Sequence, residues 1–476
     1  MLSKNSIQNG GHKIMHENNT TIHKVNKIKI TFTEKSMTAY GGFSLLASFF
    51  EKIKLQEHMD KIIPLNEKSP NGTGAYTKII SYTLIMFAGG NRFAHVLYLG
   101  NQKILSKLFG IKRLIKSGTS LTRMFNKLDS LQKSNDVSTM LWAYLEKLIP
   151  WKDIREDWLN FDSTVIERYG NQEGSVRGYN PKKKGRPSHN PLIGFLNQSK
   201  YVVHLWNRPG NASSGNNIRN FFNESYKKVK DKIKIMGVIA DSGFYDFKFI
   251  SLLEDKLLTY VIAARLYQPL QRKIYEQTDW EKIDIGIDSC AFEFKHESWD
   301  KSRRYIAIRQ NIESRPKSMG KQLKLFPESE EKNYRYSVWI TNSTKDAKTV
   351  WDYCKPRAND ENIIKELKED FALGGFSMNK FYATEVAMLI RVLIYNLFVL
   401  FRTIVMPSKN KTQRLKTLRY KYFVIPAQLG SLGRDSILRL SIGSNKIKTQ
   451  MKSLYDRLAE YVVFHSVKCN AFGFCS

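Results

Sequence analysis

The sequence predicts an α/β protein in which a mixed sheet follows a helical region and precedes a basic C-terminal region. Three observations predict this fold class. Apolar residues repeat at helical spacing through most of residues 31–150, strand-length apolar segments alternate with helical ones from Asp157 onward, and period-two alternation dominates residues 273–341. A chain of 476 residues can bury a large core and form two or three domains.

The composition favours a polyanionic partner. The formal net charge of +32 exceeds what an ordinary soluble enzyme carries. Nucleic acid fits this excess best, because neutralising phosphates releases counterions, and an anionic membrane surface is the competing partner. Hydrophobic residues make up 42% of the chain and aromatics 12%, which is typical of a globular protein rather than a disordered one.

Cysteine spacing and hydropathy argue against several classes of protein. The four cysteines show no C-x-x-C spacing, so neither a zinc site nor a disulfide framework is expected, as suits a reducing cytosol. The N-terminus lacks the apolar core of a signal peptide. The most apolar stretch, Val386 to Met406, contains Arg391, Asn396 and Arg402, which are costly at bilayer depth. We therefore expect a buried core helix there and no membrane partner.

The first third of the chain is predicted to be helical after a flexible polar start at residues 1–30. Helices are expected at Phe43–Leu55, Tyr76–Phe87, Leu105–Ile111, Thr119–Leu128 and Met140–Leu148. The third and fourth of these suggest a helix-turn-helix whose second helix presents Thr119, Ser120 and Arg123 to DNA. A simple helical hairpin is the alternative.

From Asp157 the pattern changes to strands. Strands are expected at Trp158–Ile166, Pro191–Asn197, Tyr201–Trp206, Ile233–Ala240 and Thr259–Ala264. A helix capped by Ser214 and reaching Lys230 separates the third and fourth strands, and a second helix, Phe247–Asp255, separates the fourth and fifth. The order β-β-β-α-β-α-β implies a mixed sheet covered by helices.

A β-rich insertion is expected next. Ala291–Phe294, Arg304–Arg309 and Arg335–Thr341 alternate at period two. A helix from about residue 346 to 372 follows, ends at Gly374-Gly375 and leads into a core helix at 383–405.

The C-terminal region is basic, with thirteen Lys or Arg against three Asp or Glu in residues 401–460. Tyr420, Tyr422 and Phe423 lie among these cations, so the stretch could follow a DNA backbone with help from stacking. A solvated helical tail explains the charge equally well.

Three carboxylates stand out by position. Asp162 lies in the first sheet strand, Asp241 ends a later strand, where ligands gather in open α/β sheets, and Glu361 lies on the helix after the insertion. Together they suit two-metal phosphoryl transfer, since Mg²⁺ prefers hard oxygen ligands. Arg357, Glu361 and Lys368 share a narrow arc of their helix, although a solvated salt-bridge face gives the same pattern.

The motifs around these acids resemble a known family. Phe161-Asp-Ser-Thr164, Ala240-Asp-Ser-Gly-Phe-Tyr-Asp246 and the Tyr353…Arg357…Glu361…Lys368 helix are similar to insertion-sequence transposases with an Asp-Asp-Glu triad. They look most like the group with a Tyr-Arg-Glu-Lys signature and a β-strand insertion before the glutamate. Arg357, Glu361 and Lys368 match that spacing, whereas Tyr353 lies one residue too far from Arg357, and Cys354 occupies the expected position.

The resemblance covers roughly residues 30–440 and implies a division of the chain. It implies an RNase H-like core in two parts, 151–265 and 346–405, with the β-rich insertion at 266–345 between them. The helical region 31–150 would bind DNA ends, and the basic region 406–476 would follow the core.

The resemblance also implies roles for individual residues. Asp162, Asp241 and Glu361 would bind two Mg²⁺ ions, for which Mn²⁺ could substitute, and Arg357 and Lys368, helped by Tyr353, would hold phosphates. In related transposases an aromatic residue of the insertion domain holds a flipped base. The candidates here are Trp339 and Trp299, and core packing is the competing role for both. The loop between the first strands could clamp a DNA phosphate backbone through Lys182, Lys183, Lys184 and Arg186. A solvated loop is the alternative.

The implied function is cut-and-paste DNA transposition by end nicking, hairpin formation and strand transfer. The implied partners are double-stranded DNA, at the terminal inverted repeats and the target, and a second copy of the chain on the paired ends. No nucleotide cofactor is expected, and the expected location is the bacterial cytosol. A metal-dependent nuclease of the same fold and a non-catalytic DNA-binding descendant are the alternatives, and the retained triad argues against the second.

Overall fold

The computed structural model describes residues 23–65, 72–180, 183–317, 320–323, 333–354, 357–376 and 378–461. The part before residue 150 is mainly helical, as predicted. Its elements are β1 (His23–Val25), β2 (Ile28–Ile30), β3 (Met37–Thr38), α1 (Phe43–Lys52), α2 (Leu55–Ile62), α3 (Ala75–Ala88), α4 (Lys103–Leu108), α5 (Thr119–Asn126) and α6 (Leu131–Leu145). The single helix expected at 43–55 is divided in two, because Lys54 adopts a left-handed backbone conformation (φ 51°).

The middle of the chain is rich in strands. Its elements are β4 (Glu156–Ser163), β5 (Ile166–Glu167), β6 (Val176–Arg177), β7 (Pro187–His189), β8 (Leu192–Leu196), β9 (Val202–Trp206), α7 (Ile218–Val229), β10 (Lys234–Ala240), α8 (Phe247–Asp255), β11 (Thr259–Ala263), α9 (Gln268–Tyr275), β12 (Glu281–Asp284), β13 (Ile287–Phe294), β14 (Arg303–Asn311) and β15 (Tyr334–Thr341). The last part returns to helices, with one further hairpin. Its elements are α10 (Ala347–Cys354), α11 (Arg357–Glu369), α12 (Phe381–Val405), α13 (Leu415–Leu418), β16 (Ala427–Leu432), β17 (Asp435–Leu440) and α14 (Asn445–Glu460).

One large mixed sheet organises the protein. Within the described residues it has nine strands, in the order β12-β13-β14-β15-β11-β10-β4-β8-β9. Strands β4, β10 and β11 are parallel neighbours, while β8 and β9 form an antiparallel hairpin beside β4, as the sequence predicted. The mixed α/β class is therefore confirmed.

In the described residues, the strands of the expected insertion do not form a sheet of their own. Strand β15 pairs antiparallel with β14 on one side and with β11 on the other, so the insertion strands continue the core sheet. Alternation in the sequence could not reveal this, because it predicts strands without predicting which edge they join. The edge of β11 would otherwise expose unpaired backbone groups, and β15 satisfies them.

The two faces of the sheet are buried differently. Leu159, Phe161 and Val238 point into the main core. Trp158 and Ile239, at the alternate positions, point into a smaller core closed by helix α10. Each strand residue therefore belongs to one of two layers, and the face toward α10 is the one that matters for the carboxylates.

The helix between β9 and β10 begins later than the sequence suggested. Ser214 does not cap it; α7 begins at Ile218 after Asn217, whose backbone is left-handed (φ 57°). The Ser214 hydroxyl lies 2.9 Å from that of Ser163 at the end of β4. The cap prediction was wrong because a serine before a helical pattern can equally well bond across the sheet edge.

Helix α12 is a buried core helix, as predicted. Among the described residues it alone has the length and hydropathy of a membrane span, yet 89% of its most apolar window is buried inside the protein. Its polar residues have internal partners: Arg391 donates to the carbonyl of Ala372, and the Asn396 amide exchanges two hydrogen bonds with the Val202 backbone.

The basic C-terminal region is packed onto the rest of the protein. Strand β16 pairs with β17 and with β3 near the N-terminus. Tyr422 and Phe423 are buried, so the idea that they stack on DNA is wrong, whereas Tyr420 is 72% exposed. Arg419 donates to the carbonyls of Met86 and Phe87 in α3. Part of the local positive charge therefore serves packing.

Candidate active site

Two of the predicted acids meet at the carboxyl edge of the parallel strands. The last aligned pair of β4 and β10 is Phe161 with Ala240, so Asp162 and Asp241 are the next residue on each neighbouring strand. Asp241 keeps an extended backbone (φ −83°, ψ 177°). By alternation both carboxylates emerge on the face of Trp158 and Ile239, the one that α10 covers.

Each aspartate is oriented by a backbone amide. The N–H of Ser163 donates to Asp162 Oδ1 at 2.6 Å, and the N–H of Gly243 donates to Asp241 Oδ1 at 2.7 Å. The second contact closes a tight turn after β10.

Arg265, which the sequence did not single out, supports the Asp241 turn. It follows β11, the third parallel strand, and its Nε donates to the carbonyl of Ser242 at 2.9 Å. Its Nη2 lies 3.4 Å from the carbonyl of Gly243. A cation just after a parallel strand, at the same edge as Asp162 and Asp241, was the signal that could have revealed it.

Helix α11 lies against the end of β4. Lys368 Nζ donates to the Thr164 hydroxyl at 3.2 Å and to the carbonyl of Val165 at 2.9 Å. Glu361 is exposed and lies seven residues earlier, nearly two turns, on a similar helix face. Arg357 begins this helix, but its side chain lies outside the described part.

The structure brings Asp162 and Asp241 together but does not place Glu361 in one ligand group with them. Across the described ranges, no set of three or more His, Cys, Asp or Glu side chains is arranged to hold a metal ion. The two neighbouring aspartates nevertheless supply hard oxygen donors of the type Mg²⁺ prefers. The donor chemistry therefore fits a divalent ion, with the third carboxylate on an adjoining helix.

Comparison with known proteins identifies the family. The model of the transposase DDE domain, group 1, matches residues 20–462. The chain belongs to this DDE transposase family. It is therefore a DNA transposase, an enzyme that cleaves DNA and transfers strands, and enzymes of this family generally use divalent metal ions.

More distant comparisons add little about the transposase site. A piggyBac transposase synaptic complex with hairpin DNA is similar over 92% of this chain and 86% of that chain, at 12% identity and a TM-score of 0.44. A similarity that low carries no argument about residues. No protein of curated function matches the chain.

The transposase has a groove of about 730 Å³ whose lining includes Ser242, the residue after Asp241. Trp339 and Trp351 line it together with three basic residues, Arg315, Lys317 and Lys321. Both aromatic candidates are nearly buried. Trp339 is 8% exposed and packs in the smaller core, while Trp299 packs against aromatic rings and the guanidinium of Arg303.

Tyr353 contacts the strand that carries Asp162. Its ring lies 4.9 Å from that of Trp158, which is four residues before Asp162 on the same face of β4. Tyr353 is half-buried against the smaller core. The structure therefore places this residue near the strand that carries Asp162, through a packing contact.

The basic loop between β6 and β7 is partly engaged. Lys183 Nζ lies 2.9 Å from both Glu167 Oε2 and the Tyr169 hydroxyl, and Arg186 stacks over the Tyr169 ring at 4.7 Å. Lys184 is exposed, and Lys182 lies outside the described residues. The DNA-clamp role stays a prediction, with Lys183 and Arg186 held by local partners.

Helix α5 offers the surface that the helix-turn-helix hypothesis needs. Thr119 and Arg123 are exposed and Ser120 is half-buried, while the opposite face buries residues such as Leu121 and Phe125. A helical hairpin packed on the core would show the same division. Reading of DNA by α5 therefore remains a prediction.

Proposed function

We propose that this transposase performs cut-and-paste transposition with Asp162, Asp241 and Glu361 as the ligands of two Mg²⁺ ions, which Mn²⁺ can replace. The observation that carries the proposal is the parallel register of β4 and β10, which sets Asp162 beside Asp241. When bound, the two ions would activate the attacking oxygen and stabilise the leaving oxygen of a phosphodiester.

Glu361 is the third ligand in this proposal. Its helix is held against the end of β4 by Lys368, and Glu361 lies on a similar face of that helix. Binding of DNA and ions would draw the exposed carboxylate toward the two aspartates. That attraction opposes the repulsion among three carboxylates and the DNA phosphates.

Cations of the chain would hold the DNA phosphates at the site. Arg357 presents a planar fork that suits phosphate oxygens, and Lys368 presents a point charge. Arg265 adds a further guanidinium at the carboxyl edge of the sheet while it supports the Asp241 turn. Tyr353, one residue out of the family spacing, would assist from the adjoining helix.

The reaction would proceed by successive exchanges of P–O bonds. Water attacks a phosphodiester at a transposon end, leaving a 5′-phosphate and a 3′-hydroxyl that takes up the proton. That hydroxyl attacks the opposite strand, which forms a hairpin and releases the 3′-hydroxyl of the flanking DNA. Water reopens the hairpin and restores the 3′-hydroxyl. This hydroxyl attacks a phosphodiester of the target DNA, whose own 3′-oxygen leaves as a hydroxyl.

We further assign the core to the RNase H-like class and the protein to the Tyr-Arg-Glu-Lys group. Adjacent parallel strands that carry the first two acids, with a hairpin beside the first, support the core assignment. The spacing of Arg357, Glu361 and Lys368 on α11 supports the group assignment. Of the two nearly buried tryptophans, Trp339 is the better candidate to hold a flipped base, because it lines the groove that Ser242 also lines.

The partners follow from the same proposal. The helical region 31–150, through α5, binds the terminal inverted repeats, and two copies of the chain pair the two ends. The net charge of +32 supports a long phosphate contact. We place the protein in the bacterial cytosol, where chromosomal DNA is accessible.

The ligand assignment is tested by substituting each acid. Asp162→Ala, Asp241→Ala and Glu361→Ala should each lower end cleavage by roughly 10³-fold or more, since each removes an ion ligand worth several kcal/mol in the transition state. Binding to end DNA should persist, because the N-terminal region provides it. Gel assays of cleavage and of end binding measure both effects.

Asp456→Ala, which removes an exposed acid from α14, is the matched control and should cleave normally. Substantial cleavage by one triad variant would remove that acid from the ligand set. Intact cutting by the unaltered protein without hairpin or joined products, on its own element's ends with Mg²⁺, would favour a nuclease.

A further inference from the structure

Helix α11 buries acidic side chains on the side that faces the protein. Glu366 is 4% exposed, and Asp370, directly after the helix, is 5% exposed. The sequence suggested a solvated charged face beside an apolar one. A buried carboxylate is tolerated only when cations and hydrogen-bond donors satisfy it, so these residues require dedicated partners.

Residues 402–415 supply the partners of Glu366. Arg402, in the last turn of α12, donates from Nη1 to both Glu366 oxygens, at 3.1 and 3.2 Å. The same nitrogen lies 3.0 Å from the carbonyl of Gln413, and the backbone N–H of Leu415 donates to Glu366 Oε1 at 3.0 Å. The carboxylate is therefore held from two points of one segment.

Arg414, in the same segment, holds the next turn of the helix. Its Nε donates to Asp370 Oδ2 at 3.0 Å and its Nη2 to Glu369 Oε2 at 2.9 Å. The hydrogen bond from Arg414 lowers the pKa of Glu369, so the pair is charged at neutral pH. Two arginines thus engage three successive acidic positions around the C-terminal end of α11.

The same turn of α11 is tied to the metal strand. Lys368 donates to the side chain of Thr164 and the backbone of Val165, two and three residues after Asp162. Residues 402–415 therefore bind one side of the helix, while the end of β4 binds another. Glu361 lies about 10 Å from Lys368, toward the start of the helix and outside these contacts.

These contacts at the C-terminal end of α11 influence the position of Glu361 near its start. A tilt of about 10° at the held turn would move a point roughly 10 Å away by roughly 2 Å. Metal–ligand distances tolerate only about 0.2 Å. The orientation of α11 therefore affects whether Glu361 can reach the two aspartates.

We propose that Arg414, together with Arg402, is a positioning residue that orients α11 so that Glu361 can complete the metal site. The inference rests on the proposed ligand role of Glu361. It assigns the start of the basic C-terminal region a task in catalysis that is distinct from contact with DNA.

The test uses Arg414→Ala in the full-length protein, because Arg414 is partly exposed and its loss leaves Arg402 and Glu366 paired. Metal affinity is read without catalysis, by electron paramagnetic resonance of Mn²⁺ added to the protein on pre-cleaved end DNA. We expect roughly tenfold weaker Mn²⁺ binding, as for loss of a group that orients a ligand. The Mg²⁺ concentration for half-maximal cleavage should rise by a similar factor.

Lys411→Ala is the matched control, since it removes an exposed cation from the same segment. It should reproduce the loss of positive charge near DNA and so the effect of Arg414→Ala on end binding, but leave metal affinity unchanged. Its Tm should fall less than that of Arg414→Ala, because Arg414 pairs with the buried Asp370. Arg414→Lys, which keeps a charge near Glu369 and Asp370, should recover part of the metal affinity. These comparisons separate positioning from DNA binding and from general stability.

The outcomes distinguish this inference from the ligand assignment. If Arg414→Ala binds Mn²⁺ as Lys411→Ala does, the positioning role is overturned, whatever happens to Tm. If Glu361→Ala, measured beside it, retains cleavage and Mn²⁺ affinity, the ligand assignment itself fails. Loss of Mn²⁺ affinity in Glu361→Ala together with normal affinity in Arg414→Ala would leave the ligand role standing and reject the positioning role alone.

Discussion

The position of the Asp241 carboxylate depends on a tight turn that leaves no room for a side chain at Gly243. A Cβ on Gly243 would lie 2.7 Å from the Cβ of Ser214 and 2.8 Å from Asp241 Oδ1. Real Cβ atoms do not approach that closely, so either the Ser214 loop or the carboxylate would have to move. The need for glycine here comes from proximity, because the backbone of Gly243 is not left-handed.

We therefore predict that Gly243→Ala lowers end cleavage by roughly tenfold to a hundredfold, as for loss of a group that orients a metal ligand. The displaced Asp241 would no longer accept the Gly243 N–H at its present position. Cleavage rates at saturating Mg²⁺, with end binding measured in parallel, test this. Gly443→Ala, where a Cβ meets nothing within 4 Å, is the control, and equal rates for both variants would contradict the prediction.

At the residue scale, the sequence located the acids better than their neighbours. Asp162 and Asp241 could be found because each ends a recognisable strand. Arg265 was missed because its role lies in hydrogen bonds to the carbonyls of Ser242 and Gly243, which only the fold brings near. Ser214 was misassigned for the same reason, since its partner Ser163 is remote in sequence.

At the scale of elements, α11 shows where periodicity misleads. The single helix predicted from about residue 346 to 372 is described as two, α10 and α11, and α11 ends at Glu369. Leu367 and Phe371 supply its apolar contacts and are buried. Spacing could not show that Glu366 and Asp370 are buried as well, because buried and exposed carboxylates have the same sequence pattern. Their partners come from residues more than thirty positions away.

We predict that Arg402→Met destabilises the protein by about 3–5 kcal/mol, because it leaves the Glu366 carboxylate buried without its cation. Urea denaturation should show a lower midpoint with an unchanged slope. Arg434→Met, at an exposed position, should change the free energy of unfolding by less than about 0.5 kcal/mol. A loss below about 1 kcal/mol for Arg402→Met would mean that Glu366 finds another partner.

At the scale of the whole molecule, two buried histidines link stability to pH. Burial, followed by the nearby cations Arg168 and Lys228, lowers the pKa of His189 and of His204 to about 4. His204 lies between Lys228 and Glu224, with Nδ1 2.9 Å from Lys228 Nζ and Nε2 2.7 Å from Glu224 Oε2. Both rings are therefore neutral in the folded protein at neutral pH.

The sign of the pH effect follows from these shifts. A folded pKa below the unfolded value of about 6.5 means that the unfolded chain binds more protons between pH 6.5 and about 4. The stability contributed by each neutral histidine is present above pH 6.5 and is lost as the pH falls through that window. The loss approaches about 3 kcal/mol for each residue.

We therefore predict a fall in the free energy of unfolding between pH 7.5 and 4.5, measured by urea denaturation. His204→Gln removes one titrating group and should reduce that fall by up to half, whatever its effect at pH 7.5. An identical pH profile for the variant and the original protein would show that His204 does not titrate in this window.

The sequence by itself predicted most of the helices and strands and the candidate chemistry. Periodicity, net charge and the spacing of Arg357, Glu361 and Lys368 are local or additive properties, so they can be read along the chain. The same properties predicted that α12 is buried. The transposase family follows from motifs of this kind.

Only the tertiary structure decided how those parts combine. It joined the insertion strands to the core sheet through β15 and β11, set Asp162 beside Asp241, and fastened α11 to residues 402–415. Register and burial depend on contacts between residues distant in sequence. The periodicity of the sequence does not show which of these contacts form. The packing of the basic C-terminal segment against an acidic helix is the clearest result of that kind.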